Sequence, residues 1–231
     1  MVSVVGTASS VPKRLPARNL EGALQSGRLF SSTEASMIRV TELLRWAGVT
    51  TPIPNTPAVR AALVRGTAVH EHSVEIEPHV VNGTNDAFIT TLPQPLQGYC
   101  HAVARFAERF TPQWDEVEVR KDDPSICLTG CPDRVGLING ERVIIDYKTG
   151  GMAKWHRLQI ALYQILVERC GVKGDRAYRI DKRMNVYLAA DGSFRLDSYR
   201  KHEDILDAWK IITRYHEVEV FGVTREATNE N

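Results

Sequence analysis

Two acids and a lysine stand close together in the middle of this 231-residue chain: Asp133, Asp146 and Lys148. Between the acids run Val135, Leu137 and Ile138, the dipeptide Asn139-Gly140, and then Val143, Ile144 and Ile145. Asn-Gly between two apolar runs is the strongest short hairpin signal, because both central residues of a type I′ turn need positive φ. Counting outward from a two-residue turn sets Ile138 opposite Glu141 and Asp133 opposite Asp146. Side chains alternate along a strand, so Lys148 shares a face with Asp146. Carboxylates directly opposite each other cost a few tenths to about 1 kcal/mol even in water, unless a cation lies between them. The bland reading is that Lys148 neutralises the acids in a structural ion cluster, or that the turn is longer and the register slips so the acids never meet. The functional reading is that the oxygens hold a hard divalent cation, Mg²⁺ or Mn²⁺, that keeps waters for chemistry. In the second reading the Tyr147 carbonyl adds an oxygen, and Lys148 orients or helps deprotonate a water.

The elements around these residues follow from periodicity. The hairpin strands, roughly Cys131 to Ile138 and Glu141 to Lys148, are apolar on both faces, as in a central pair covered on each side. Upstream, the first thirty residues, with Pro12, Pro16, Gly22 and Gly27, read as an irregular arm. Ser31 with Glu34 resembles a capping box opening a helix, with Met37, Val40, Leu44 and Ala47 at helical spacing and Gly48 as its stop. Pro52, Pro54 and Pro57 connect to a second helix. Thr56-Pro57 opens it, and it runs through Leu63, Gly66 and Val69 to about Ile76, carrying His70. A polar segment with Asn82-Gly83 leads to a third helix from about Leu96 to Phe110. Trp114 to Lys121 alternates like a strand, which puts Glu116 and Glu118 on one face.

Downstream, a helix from Ala153 to about Arg169 turns Leu158, Leu162 and Ile165 to the core. Gln159 and Tyr163 lie four apart on one face of it, one turn beyond Trp155. A strand near Met184 to Ala189, the turn Asp191-Gly192, a strand from Ser193 to Ser198 and a helix from about Lys201 complete the chain. The result is an α/β fold, a central mixed sheet flanked by helices with an N-terminal helical extension. Residues 1–56 are expected to form an arm and helix packed on 57–231, in one compact domain overall.

Hydrophobic residues at 43%, charged residues at 25%, 16 Gly and 11 Pro fit an ordinary globular chain and exclude collagen-like, coiled-coil and disordered classes. No apolar run approaches the roughly 20 residues of a membrane span, and no basic flank with a long apolar stretch opens the chain. The expectation is a cytoplasmic protein, and Cys100, Cys127, Cys131 and Cys170 read as thiols in a reducing compartment. Net charge is +1, but 13 acidic side chains fall in residues 66–147 and 9 basic ones in 148–183. The acidic part suits a cation. The basic part, with Lys154, Arg157, Lys173, Arg176, Arg179, Lys182 and Arg183, suits backbone phosphates. His72, His79, His101, His156, His202 and His216 have no company like that of His70.

Cys131-Pro132-Asp133 followed by Asp146-Tyr147-Lys148-Thr149-Gly150 resembles the signature of the PD-(D/E)XK nuclease superfamily. Arg65-Gly66-Thr67-Ala68-Val69-His70 resembles the upstream G-x-x-x-H element of its RecB-like members, and Gln159-Ile160-Ala161-Leu162-Tyr163 their downstream Q-x-x-x-Y element, all in the family's order. Arg39 to Leu44, with Ala47-Gly48-Val49, is similar to the N-terminal region of phage exonucleases of the lambda-exonuclease type. The resemblance spans roughly residues 36 to 200.

It implies a restriction-endonuclease-like core and a metal-dependent deoxyribonuclease. His70, Asp133, Asp146 and the Tyr147 carbonyl would be the metal ligands, and Lys148 the catalytic lysine. Glu116 or Glu118 would match a further strand glutamate of the family. Gln159 and Tyr163 would contact DNA or support the lysine, and Arg65, Lys154, Trp155 and Arg157 would meet the DNA. The expected products carry 5′ phosphates, in phage-type DNA recombination or processing. A single-strand annealing protein and a homo-oligomer are the implied partners. An iron–sulfur cluster is not expected, because only Cys170 follows the core motifs, and there is no Walker A motif for a helicase. The alternatives are a structure-selective endonuclease of the same fold and a non-catalytic DNA-binding module.

Overall fold

The computed structural model describes residues 37–222; the expected arm and the Ser31 and Glu34 pair lie outside them. The first element among the described residues is a strand, where a helix is expected. β1 (Ile38–Arg39) pairs in parallel with β4 (Leu128–Gly130), and α1 (Val40–Trp46) begins only after it. The Ile38 N–H donates to the Cys127 carbonyl at 2.8 Å, so the edge of a small sheet takes residues that a longer helix would have used. Seven residues are too few for a self-sustaining helix. Val40, Leu43 and Leu44 of α1 are buried in one core cluster with Ile160, Leu162 and Leu166, at roughly 1.5–3 kcal/mol per large side chain.

α2 (Pro57–Asn82) starts as its sequence implies: the Thr56 hydroxyl accepts the Val59 N–H, and Pro57 takes the first helical position. It continues past Ile76 and through Pro78 to Gly83, whose φ of 67° closes the helix in the left-handed region. A short α3 (Asn85–Ile89) and then α4 (Gln94–Phe110) follow.

The main sheet has the order β2-β5-β6-β7-β8, made of β2 (Gln113–Val117), β5 (Arg134–Ile138), β6 (Glu141–Lys148), β7 (Lys182–Leu188) and β8 (Phe194–Tyr199). Only β6 and β7 run parallel, joined by the crossover helix α5 (His156–Cys170); the other neighbours are antiparallel. The β5–β6 register is the one counted from the turn, from Ile138 opposite Glu141 to Arg134 opposite Ile145. Asn139 and Gly140 take φ of 51° and 79°, as a type I′ turn requires. Both faces are covered. Val69, Ile76, Phe106 and the residues of α4 pack on Val143, Ile145 and Tyr147, while α1, α5 and α6 (His202–Tyr215) pack on Val135 and Ile144.

A second, three-stranded sheet was not foreseen: β1-β4-β3, with β3 (Lys121–Asp123). It ends the expected Trp114 to Lys121 strand early. β2 carries a bulge between Trp114 and Glu116, facing Gly136, where a Cβ would lie 2.2 Å from the Gln113 carbonyl oxygen. Beyond β2, Glu118 takes φ of 51°, so the alternation that would have put Glu116 and Glu118 on one face is broken.

Candidate active site

Asp133 precedes β5, Asp146 lies on β6 and His70 on α2, and all three meet at the carboxyl end of β6. The His70 Nδ1 is 3.2 Å from Asp133 Oδ2 and 3.8 Å from Glu118 Oε1. Ligand atoms of His70, Glu118 and Asp133 all fall within 4.8 Å of one another, close enough to share one metal ion. Asp133 Oδ2 also accepts the Tyr147 N–H at 2.6 Å, which ties the first acid to the strand of the second. Asp146 is 3% exposed. Its Oδ2 is ion-paired with the Lys148 ammonium. A buried carboxylate beside an acid and imidazole cluster fits the donor set of a hard divalent cation.

The electrostatics agree. Burial disfavours a charged His70, but the hydrogen bond and charge of Asp133, with Glu118 and Asp146, raise its pKa to about 10. Without a metal the imidazolium supplies the positive charge that these acids demand; a cation bound there would take over that role and displace the proton, because a ligating imidazole is neutral. Burial and the Asp133 charge push the Asp146 carboxyl up, against the pull of Lys148. Cys131, half-buried at the rim, has its thiol pushed to about 11 by burial and by Glu118 and Asp133. Lys148 donates to Gln159 Oε1 at 2.7 Å, and Gln159 Nε2 donates to the Tyr163 hydroxyl at 3.3 Å. Gln159 and Tyr163 are therefore buried supports of the lysine. Gly130 makes room for them: a Cβ there would lie 2.8 Å from the Tyr163 ring.

The two glutamates divide. Glu118 joins the cluster, its N–H donating to the Asp133 carbonyl at 3.0 Å. Glu116 turns away, its Oε2 2.6 Å from Lys121 Nζ and its Oε1 accepting the Lys173 N–H at 3.3 Å. Of the residues expected to meet DNA, Arg65 joins Gly66, His70, Lys148 and Thr149 in lining an open groove of about 950 Å³. The Arg65 guanidinium lies 5.2 Å from the Tyr99 ring centre, and its Nε is buried without a partner. Lys154, Trp155 and Arg157 line a separate concavity, though the Trp155 ring centre is 5.9 Å from Lys148 Nζ.

The rest of the basic stretch is elsewhere. Lys182 and Arg183 begin β7 beside Val143 and Ile144, five residues and so roughly 16 Å along the sheet from Lys148. Arg183 is buried against Asp204 at 3.2 Å, and Lys173 lies 3.6 Å from Asp115. Arg183 thus serves the fold at the other end of the sheet, and Lys173 makes an exposed surface ion pair.

Several residues next to the site were not singled out by sequence. Arg134 is fully buried: its Nε donates to both Glu77 oxygens at 3.0 and 3.1 Å, Nη1 to the Asp133 carbonyl at 2.8 Å, and Nη2 to Ser73 Oγ at 2.8 Å. Ser73 Oγ in turn donates to the His70 carbonyl at 2.6 Å, and the Tyr147 hydroxyl donates to Glu77 at 3.1 Å. The network pins the turn of α2 that carries His70 to both acid-bearing segments. His70, Ser73 and Glu77 stand at i, i+3 and i+7, a polar stripe between apolar Val69 and Ile76 that could have signalled it. His156, read as lacking company, is buried with Nδ1 2.9 Å from the Tyr187 hydroxyl. Burial and the Lys148 charge lower its pKa to about 4.

A central mixed sheet between helices, with paired acids and a lysine at the end of its hairpin, is the architecture of a restriction-endonuclease-like nuclease. Residues 43–210 match the PD-(D/E)XK nuclease superfamily, and the chain belongs to it as a hydrolytic nuclease acting on nucleic acid. Members of the superfamily use divalent metals, and the His70, Glu118 and Asp133 ligand atoms are close enough together to hold one. Among solved structures the chain is similar to "Putative exonuclease" from Eubacterium rectale, at 13% identity and a TM-score of 0.46, over 92% of this chain and 89% of that one. It is also similar to SSO0001, at 15% identity and a TM-score of 0.36, over 89% and 84%. No protein of curated function matches it. No described helix is long and apolar enough to cross a membrane.

Proposed function

We propose that the chain is a metal-dependent DNA exonuclease that hydrolyses phosphodiester bonds to 5′-phosphate products in phage-type recombination or DNA processing. The observation that carries the catalytic reading is the meeting of Asp133, Asp146, Lys148, His70 and Glu118 at one end of the sheet, on an open groove. The exonuclease assignment draws on the likeness of residues 39–49 to phage exonucleases. Mg²⁺ or Mn²⁺ held by His70, Glu118, Asp133, Asp146 and the Tyr147 carbonyl would polarise the scissile phosphate, activate the attacking water and stabilise the leaving 3′ oxygen. Lys148, fixed by Asp146 and Gln159, presents its ammonium to hold the attacking water or to move a proton at Nζ. Arg65 offers its guanidinium to a backbone phosphate along the groove wall. Such contacts position DNA without reading its sequence. Residues 57–231 carry the nuclease site, and helix α1 (Val40–Trp46) packs into the same core. The setting is a cytoplasm in which a single-strand annealing protein and further copies of the chain are the partners.

The test is digestion of an end-labelled linear duplex and a covalently closed circle, with Mg²⁺, with EDTA, and with Asp146→Ala and Lys148→Ala. Loss of the linear DNA alone, abolished by EDTA and by either substitution, supports the proposal. Cutting of the circle makes it an endonuclease, and salt-sensitive binding without cleavage makes it a binding module.

A further inference from the structure

A second concavity, of about 500 Å³, opens on the helix α5 side of the sheet, and the catalytic arrangement does not use it. β8 contributes Asp197 and Tyr199 to it; the segment entering α5 contributes Met152, Lys154 and Trp155. Its size is that of a small-molecule site. The Trp155 indole belongs to both places, lining this cavity and lying 5.9 Å from Lys148 Nζ. The strand registers set the separation. Asp146 is paired with Asn185, and Asn185 with Asp197, so two strand spacings place Asp197 about 10 Å from the catalytic acid. That is roughly three steps of a stacked strand at about 3.4 Å each, and fewer once bases unstack.

The lining suits a base better than a phosphate, because its Arg157 cation is already paired with Asp204 at 2.6 Å and Asp207 at 3.5 Å. Trp155, Tyr199, Met152 and Leu158 line it with aromatic and apolar side chains, and aromatic rings are how single strands are held by their bases. Exposed Lys154 is the cation for the attached backbone. Asp197 repels phosphate but accepts N–H groups from a base edge. It is weakly engaged: the Tyr199 hydroxyl is 3.4 Å away and Arg195 3.8 Å. Beside it on β7, Asn185 is fully buried, its Nδ2 reaching the Tyr199 hydroxyl at 3.4 Å while its Oδ1 has no donor.

We infer that this cavity is a base-binding subsite taking one unpaired base of the substrate strand within three nucleotides of the scissile phosphate, with Asp197 as its specificity-determining residue. It favours guanine, whose N1–H and N2–H donate side by side to one carboxylate. Cytosine and adenine bring a single amino group, and thymine only an N3–H flanked by two carbonyls. The inference rests on the nuclease reading above.

The experiment compares kcat/KM on linear DNAs that differ only in the base at each position within three nucleotides of the cleaved bond, for wild type and Asp197→Asn. In parallel, fluorescein-labelled trinucleotides with a central guanine or thymine are bound in EDTA. Expected are a preference of about tenfold for guanine over thymine at one position, its collapse to within about twofold in Asp197→Asn, and tighter guanine binding in EDTA, at about 1.4 kcal/mol per tenfold. Cleavage with no base preference, or a preference unchanged in Asp197→Asn, overturns the subsite and leaves the nuclease reading standing. No cleavage, with guanine-selective binding lost in Asp197→Asn, overturns the nuclease reading and keeps the subsite. Neither cleavage nor selective binding overturns both. Should Asp197→Asn fail to fold, the trinucleotide comparison on wild type decides alone.

Discussion

Replacing Arg134 by methionine should unfold more of the protein than any other single change near the site. The guanidinium is fully buried and makes bonds to Glu77, to the Asp133 carbonyl and to Ser73. Without it, the Glu77 carboxylate keeps the hydrogen bond from the Tyr147 hydroxyl, at 3.1 Å, but loses its counter-charge. Burial already pushes the Glu77 carboxyl up, against the pull of Arg134, so removing that pull is expensive. Breaking a buried pair in this way costs about 3–5 kcal/mol. Replacing both partners removes the stranded charge, so Arg134→Met with Glu77→Leu should cost only about 2–4 kcal/mol, for the unmet Asp133 carbonyl and the Ser73 and Tyr147 hydroxyls. Urea unfolding of the wild type, both single variants and the double variant closes the cycle, with an expected coupling of at least about 2 kcal/mol. Single effects that add within about 0.5 kcal/mol would refute the reasoning. The double variant should still cleave slowly, because the α2 turn that carries His70 has lost its tie to β5.

Other outcomes follow from the same geometry. Asp146→Ala or Lys148→Ala should lower kcat by at least about 10²–10³-fold with an unchanged circular dichroism spectrum; near wild-type turnover in either would place the chemistry elsewhere. Glu118→Gln should raise the Mg²⁺ concentration needed for half-maximal cleavage and leave urea stability nearly intact. Glu116→Gln should do the reverse, because it leaves Lys121 buried with half of its ion pair; equal behaviour of the two would contradict the division between them. His156 is held neutral, its pKa lowered from 6.5 to about 4 by burial and by Lys148. Its contribution to stability is complete above pH 6.5 and is lost as pH falls through about 4, by at most about 3 kcal/mol. His156→Asn should flatten that part of the stability curve in urea titrations, and an identical slope would rule the assignment out.

How much of this was legible in the chain depended on whether local rules decided the outcome. The hairpin register was readable because Asn139-Gly140 admits one turn type, and alternation then carries Asp133, Asp146 and Lys148 to one place. The α2 start was readable because Thr56-Pro57 caps and initiates in one stroke. The Glu116 and Glu118 question was not, since it turned on a bulge where β2 closes on Gly136 and on a positive φ at Glu118. Ile38 and Arg39 looked helical because their neighbours are, but a strand edge from residues 128–130 claimed them. The charge of residues 148–183 pointed to DNA as a sum, while the fold sent Arg183 and Lys182 to the opposite end of the sheet. Arg134 escaped notice because a charged residue in a strand gives no sign of its burial until Ser73 and Glu77 are seen to face it.

The two-residue turn at Asn139-Gly140 also acts as a ruler for catalysis. Along β6, Ile144, Asp146 and Lys148 face one side, and Val143, Ile145 and Tyr147 the other. A slip of a single residue in the β5–β6 pairing would exchange these sets, driving a carboxylate and an ammonium into the apolar layer beneath Phe106 and lifting Ile145 and Tyr147 toward the acids' side. The active site therefore has no partially displaced form along this coordinate. Parity of the hairpin decides whether the chain folds with its acids paired, and the same parity is what the core itself enforces, so a correctly packed molecule is also a correctly armed one.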